Sequence, residues 1–184
     1  SMTSSFAGIV NYALYTRDSA LLEQCLNIFK RGIPQYFSSW GWGDEVMPCH
    51  DANKISRGEM NQTGDVIRAA LSLGAGYDPA YYELAERYLR SMLLPTQHHR
   101  EDLIKLLNAP QPPKGDFERD VMKRVTGGYS MQWPNDRMGP HVWPLTTQDV
   151  ISGAAHALCE CWRHRVISDA EACRVNLLID CEHE

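Results

Sequence analysis

The sequence lacks the short signatures of several large enzyme classes. Its 184 residues contain no P-loop, GxSxG, HExxH or GxGxxG pattern. No apolar run approaches the roughly 18 residues that a membrane span needs. A basic stripe for a phosphate backbone is also missing, and the formal net charge is -5. We therefore expect neither a membrane nor a nucleic acid as partner.

The cysteines lack the spacing of a metal site. The chain has six, none of them in a CxxC pair: Cys25, Cys49, Cys159, Cys161, Cys173 and Cys181. Cys159 and Cys161 are two positions apart in a helical stretch, so their side chains point in different directions and do not readily share one ion. We expect buried free thiols, with neither a metal nor a cofactor.

What the sequence has is helical periodicity in pairs. The chain is long enough, at 43% hydrophobic residues, to bury a core of its own. Residues 6–36 predict two helices with a break at residues 16–19, where Asp18 or Ser19 caps the second helix. Gly32 and Pro34 are predicted to end that helix.

The same design recurs further along the chain. Residues 66–73 form an apolar helical face, residues 74–76 break it, and Asp78 with Pro79 starts the next helix, which ends near Pro95. A third helix rich in small residues spans about 147–165, after shorter predicted helices at 101–108 and 116–125. The predicted fold class is all-α, built from antiparallel helix hairpins.

The tail differs from the helical part. Apolar and polar residues alternate over 175–179, which predicts a strand. A lone strand leaves its edges unpaired, so it either pairs within this chain or begins a following β-domain, and we favour the second. The predicted organisation is a helical domain over 1–170 and a tail over 171–184 that leads toward a β-domain.

Two stretches resemble a known architecture: "GEMNQTGDVIRAALSLGAGYDPAYYELAERYLRSML" and "WPLTTQDVISGAAHALCECW", with "RVNLLID" as the crossing into a β-domain. They are similar to the six-hairpin glycosidase superfamily. The resemblance implies an (α/α)6 toroid with carbohydrate activity, of which this chain would form about the C-terminal half. One branch of the superfamily binds zinc through cysteines and a glutamate. Cys159-Glu160-Cys161 lacks the adjacent cysteine pair of that branch, so we do not transfer the metal.

Two loops enter the helices that such a toroid places inside. The first, residues 38–65, carries Trp40 and Trp42, whose flat faces suit a sugar ring. In the same loop, Glu59 is our first catalytic candidate. Arg57 is a substrate-binding candidate that pairs either with Glu59 or with an acidic sugar. Glycoside hydrolysis generally uses two carboxyl groups, one protonated and one ionised. The alternative is structural: Asp65 or Thr63 caps a helix, and the other carboxylates lie in solvent.

The second loop, residues 127–149, has the same character. Trp133, His141 and Trp143 are predicted to bind substrate, and Asp149 is the second catalytic candidate. Trp133 and Trp143 are equally compatible with a packing role, in which they cover the ends of helices. His156, among alanines, is predicted to be a core or interface histidine.

These features favour a carbohydrate-active domain that acts on an oligosaccharide or glycoside, as a hydrolase rather than a lyase. Two alternatives stay open. One is a helical-repeat module that binds a protein partner. The other is a non-catalytic fragment or homologue of a toroid enzyme. A homo-oligomer, in which half-rings cover each other's inner helices, is also compatible with the pattern.

Overall fold

The computed structural model describes residues 2–43, 60–97, 127–129, 148–168 and 170–180. The described chain is mostly helical and ends in a small antiparallel hairpin. Its elements are α1 (Met2–Thr16), α2 (Ser19–Asn27), α3 (Ile33–Tyr36), α4 (Met60–Gly76), α5 (Ala80–Tyr88), α6 (Gln148–His164), β1 (Val166–Ser168) and β2 (Cys173–Val175). The predicted helical fold class is confirmed at this level.

α4 is the centre of the fold because most of its side chains are buried. Its buried positions are Met60, Gln62, Thr63, Gly64, Asp65, Val66, Ile67, Ala69, Ala70, Leu71, Leu73 and Gly74. A helix buried on nearly every face needs neighbours all round. α1 and α6 flank α4 on two sides, and α5 packs on a third.

The three helices α1, α4 and α6 run parallel. Thr3 meets Asp65 near the start of α1 and α4, and Leu14 meets Gly76 near their ends. α6 follows the same direction, since Gly153 contacts Asn61 and Ala157 contacts Gly64. We call these three the inner helices, and α2 and α5 the outer helices.

The two complete hairpins share their local chemistry. Asp18 accepts a hydrogen bond from the Leu21 amide at the start of α2, as predicted, and Asp78 accepts one from the Ala80 amide at the start of α5. α1 ends with Arg17 in the left-handed conformation at φ 57°. The Asp18 amide then reaches the Ala13 carbonyl, which completes a Schellman motif.

The first outer helix runs past its predicted end, whereas the helical path of the second ends near Pro95 as predicted. α2 continues through a π-helical turn, Ile28–Gly32, into α3, so Gly32 and Pro34 lie within a continuous helical path. α5 continues in the same way through a π-helical turn, Leu89–Leu93, into the short 3-10 helix Leu94–Thr96. Each widened turn stands just before a proline, where the ring would otherwise clash with the preceding turn. The predicted break at residues 74–76 is also wrong, because α4 includes them.

The C-terminal strand pairs within the chain. β1 and β2 are antiparallel, with Val166 opposite Val175 and Ser168 opposite Cys173. The strand is therefore not the lone one that we favoured, and it spans 173–175 rather than 175–179. Beyond it, the Leu178 amide donates to Glu86 at 3.0 Å and Leu177 is buried in the helical core. These contacts hold the segment that follows β2 against α5 and the helical core.

Candidate functional site

The loop after α3 presents one of the predicted sugar-binding residues at the start of α4. Thr63, in the first turns of α4, donates its hydroxyl to the Gly41 carbonyl at 2.8 Å, and Ser91 donates to the Trp40 carbonyl at 2.7 Å. Gly41 adopts φ 98° with its Cα against the Tyr88 ring, where a Cβ would come within 2.8 Å of the ring. Only glycine fits this turn without strain.

This turn holds the two tryptophans of the loop differently. Trp40 is 48% exposed, whereas Trp42 is half-buried and packs against the core. Their ring centroids are 5.9 Å apart, with the planes tilted by 40°. The Ser91 hydrogen bond holds the Trp40 backbone in place, and about half of the indole is open to solvent.

The other predicted site residues lie largely outside the described residues. Arg57, Glu59, Trp133, His141 and Trp143 belong to this group. Asp149 lies in the first turn of α6 by its backbone, and its side chain is outside what the structure describes. The convergence of these residues with Trp40 stays a prediction.

A second polar group joins α1 to α4 through a buried carboxylate. Asp65 is 3% exposed and accepts a hydrogen bond from the Thr3 hydroxyl at 2.9 Å. The Arg68 guanidinium donates to its other oxygen at 3.2 Å. The interpretation of Asp65 or Thr63 as the helix cap is wrong, since α4 begins at Met60 and Asp65 lies well within it. The ion pair neutralises a carboxylate that would otherwise be costly to bury.

A third polar group lies along α6. Glu160 stands between His156, with Nε2 at 3.6 Å, and His164, with Nε2 at 3.8 Å, and Arg163 approaches it at 3.3 Å. Tyr82 of α5 places its hydroxyl 3.4 Å from His164 Nδ1. Burial lowers the pKa of His164 below its ordinary 6.5, while the nearby Glu160 carboxylate opposes that shift.

For His156 the core alternative of the sequence interpretation is wrong, and the interface alternative stays a prediction. It is half-exposed and faces Glu160 rather than lying in the core. The signal that identifies it is spacing, because His156, Glu160 and His164 follow each other at intervals of four on one helix face. The core alternative rested on the neighbouring alanines, of which Ala154 and Ala157 are buried and Ala155 is exposed.

The cysteines divide into two groups. Cys25 and Cys161 are free and buried, as predicted, whereas Cys159 and Cys173 are free and exposed. Burial and the neighbouring Glu160 raise the pKa of the Cys161 thiol to about 12, so it stays protonated. Within the described ranges, no group of three or more His, Cys, Asp or Glu side chains is arranged to hold a metal ion.

Comparison with known proteins does not assign this site. No protein-family model, curated protein or solved structure matches the chain. In the described part of the chain, no helix is both long enough and apolar enough to cross a membrane.

Proposed function

We propose that this chain is a carbohydrate-active domain of the α/α-toroid type, of which it supplies about half, and that it acts as a glycoside hydrolase. The observation that carries the proposal is Trp40, a half-exposed indole whose backbone is held near the start of the central inner helix. A rigid aromatic face costs little entropy on binding and suits the apolar side of a sugar ring. The parallel inner helices support the toroid, because consecutive helix hairpins in a ring repeat the same direction.

The proposed chemistry uses two carboxyl groups at the loops that enter the inner helices. Glu59 precedes α4 directly, and Asp149 lies in the first turn of α6. In a hydrolase of this kind, a protonated carboxyl group donates its proton to the leaving oxygen. An ionised carboxylate either activates water or attacks the sugar. Arg57, Trp133, His141 and Trp143 remain the proposed substrate-binding residues beside them.

The test uses a panel of neutral and acidic oligosaccharides and two matched tryptophan variants. Trp40→Ala is expected to weaken sugar binding about tenfold or more, as is typical of a central aromatic anchor. Trp162→Ala removes a similarly exposed indole, 50% accessible on α6, and is expected to leave affinity unchanged. Isothermal titration calorimetry measures both. For a sugar that is cleaved, Glu59→Gln and Asp149→Asn should abolish turnover and leave the melting temperature unchanged. Equal affinity in the two tryptophan variants would contradict the site.

A protein-binding helical-repeat module is the second candidate. The observation that favours it is the exposed face of α1, where Met2, Ile9, Tyr12 and Tyr15 reach solvent. If two half-rings associate, a second copy would pack against this same face of α1. Light scattering over a concentration series measures that association. A chain that binds no member of the sugar panel favours this candidate over the carbohydrate-active one.

A further inference from the structure

The three inner helices line an open groove between them. Its volume is about 740 Å³, within the range of small-molecule sites. α1 contributes Asn11, Tyr12 and Tyr15, α4 contributes Arg68 and Ser72, and α6 contributes His156, Glu160 and His164. We call this space the inner groove.

Arg68 brings a guanidinium to the inner groove, and its charge is balanced by the buried Asp65 carboxylate. Its Nη1 donates a hydrogen bond to Asp65, which also accepts one from the Thr3 hydroxyl. These two hydrogen bonds restrict the position of the guanidinium on the α4 side of the groove. The guanidinium makes no other hydrogen bond to the described residues. Its remaining N–H groups are therefore available as donors to a ligand in the groove. An anchored guanidinium binds a carboxylate with little loss of side-chain entropy, through paired charge-assisted hydrogen bonds.

The rest of the lining suits hydroxyl groups and a flat ring. Glu160 is an acceptor-only group when ionised, and Asn11 both donates and accepts. Tyr12 and Tyr15 are three positions apart on one face of α1, and Tyr12 is 61% exposed. The negative charge of Glu160 is offset on its own helix by Arg163 at 3.3 Å and by His156 at 3.6 Å.

We propose that the inner groove binds an acidic sugar residue, a hexuronate whose carboxylate pairs with Arg68 and whose hydroxyls donate to Glu160. A neutral sugar would offer no charged acceptor to the Arg68 N–H groups that Asp65 does not use, and a simple anion would offer Glu160 no hydroxyl donor. Only a ligand that carries both groups uses both ends of the groove. The inference rests on the proposed function, because it names the class of sugar that the same domain takes.

The experiment compares matched ligands on the full chain. Cellotetraose and its C6-oxidised counterpart, a β-1,4-linked tetraglucuronate, share linkage and length and differ in the carboxylates. A galactose-based pair, neutral and oxidised, covers the other common configuration. We expect the wild-type chain to bind a uronate oligomer at least about tenfold more tightly than its neutral partner, the scale of one charge-assisted pair. That preference is expected to shrink in high salt.

Three variants assign the preference to Arg68. Arg68→Gln is expected to abolish it while changing neutral-sugar affinity less than about twofold. Because this variant leaves Asp65 buried without its partner, the double variant D65N/R68Q, which removes both charges together, makes the same test in a fold without an unpaired charge. Arg87→Gln is the control, since this exposed arginine lies on the outer helix α5, outside the groove lining, and it should keep the preference.

The outcomes separate this inference from the proposed function. A uronate preference that D65N/R68Q loses and Arg87→Gln keeps supports the inference. Binding of neutral and acidic oligomers with equal affinity overturns it and leaves the carbohydrate proposal standing, as does a preference that survives in D65N/R68Q. A chain that binds no oligosaccharide at all overturns both.

Discussion

His164 connects the inner groove to the outer helix α5 through Tyr82, and its protonation should be visible in stability. Burial holds the pKa of His164 below 6.5, the ordinary value. Between these two pKa values the unfolded chain binds more protons than the folded one, so the free energy of unfolding falls as the pH drops. The contribution is fully present above about pH 7 and is lost as the pH falls through 6.5 to the folded-state pKa.

The variant His164→Gln tests this at one residue. Its free energy of unfolding should depend less on pH between 7.5 and 5.5 than that of the wild type, measured by urea denaturation at several pH values. His156→Gln is the matched control, because it removes a half-exposed imidazole that also faces Glu160. If the two variants flatten the curve equally, burial of His164 is not the cause.

Side chains that act locally could be predicted from the sequence, and those that act across helices could not. Asp18 was identified as a cap because its partner, Leu21, lies three residues away. Asp65 was misassigned because its partner Thr3 is 62 positions distant, so its burial depends on how α1 packs against α4. A helix cap depends on neighbouring residues and can be predicted from the sequence, whereas the long-range pairing of a carboxylate depends on the tertiary fold.

At the scale of elements, the contact between α4 and α6 depends on two glycines. A Cβ on Gly64 would meet the Gly153 carbonyl at 2.7 Å, and one on Gly153 would overlap the Asn61 amide oxygen. That same oxygen accepts a hydrogen bond from the Gly153 amide at 2.9 Å. The two helices therefore approach more closely than any side chain at these positions would allow.

Gly153→Ala should lower the free energy of unfolding by about 1–3 kcal/mol, the usual cost of overpacking a close contact. Gly8→Ala is the control within the same class of helix, because no atom lies within 4 Å of a Cβ built there. In that open position alanine should instead stabilise α1 by roughly 0.5–1 kcal/mol through its higher helix propensity. Urea denaturation compares the two, and changes of the same sign would contradict a specific contact at Gly153.

The positions of elements were predicted better than their ends. The third inner helix, expected over 147–165, forms over Gln148–His164 because small and apolar residues recur along it at helical spacing. The end of the first outer helix was misplaced, since a π-helical turn lets the helical path continue through Pro34 to Tyr36, whereas the path of the second ends near Pro95 as predicted. A glycine or proline makes the helical conformation locally less favourable, but packing against the core decides whether the helix continues.

For the whole molecule, the arrangement makes α4 the most stable part of the described chain. α1 and α6 both pack against α4, whereas each of them has an exposed face that no described helix covers. The β1–β2 hairpin is short, and β2 is exposed along its length. Local stability follows the density of buried contacts, so opening of α4 should require unfolding of the whole domain.

Native-state hydrogen exchange measures this gradient directly. The amides of α4 are expected to exchange the slowest, with a free energy of opening equal to the global free energy of unfolding from urea denaturation. The amides of β2 and of the first turn of α2 should exchange through local opening, at lower free energies. The control is a repeat at a second pH, where rates that scale with hydroxide concentration show that the measurement reports equilibrium opening. If α2 proved as protected as α4, the parallel inner helices would not be the stable centre on which both proposed sugar sites are built.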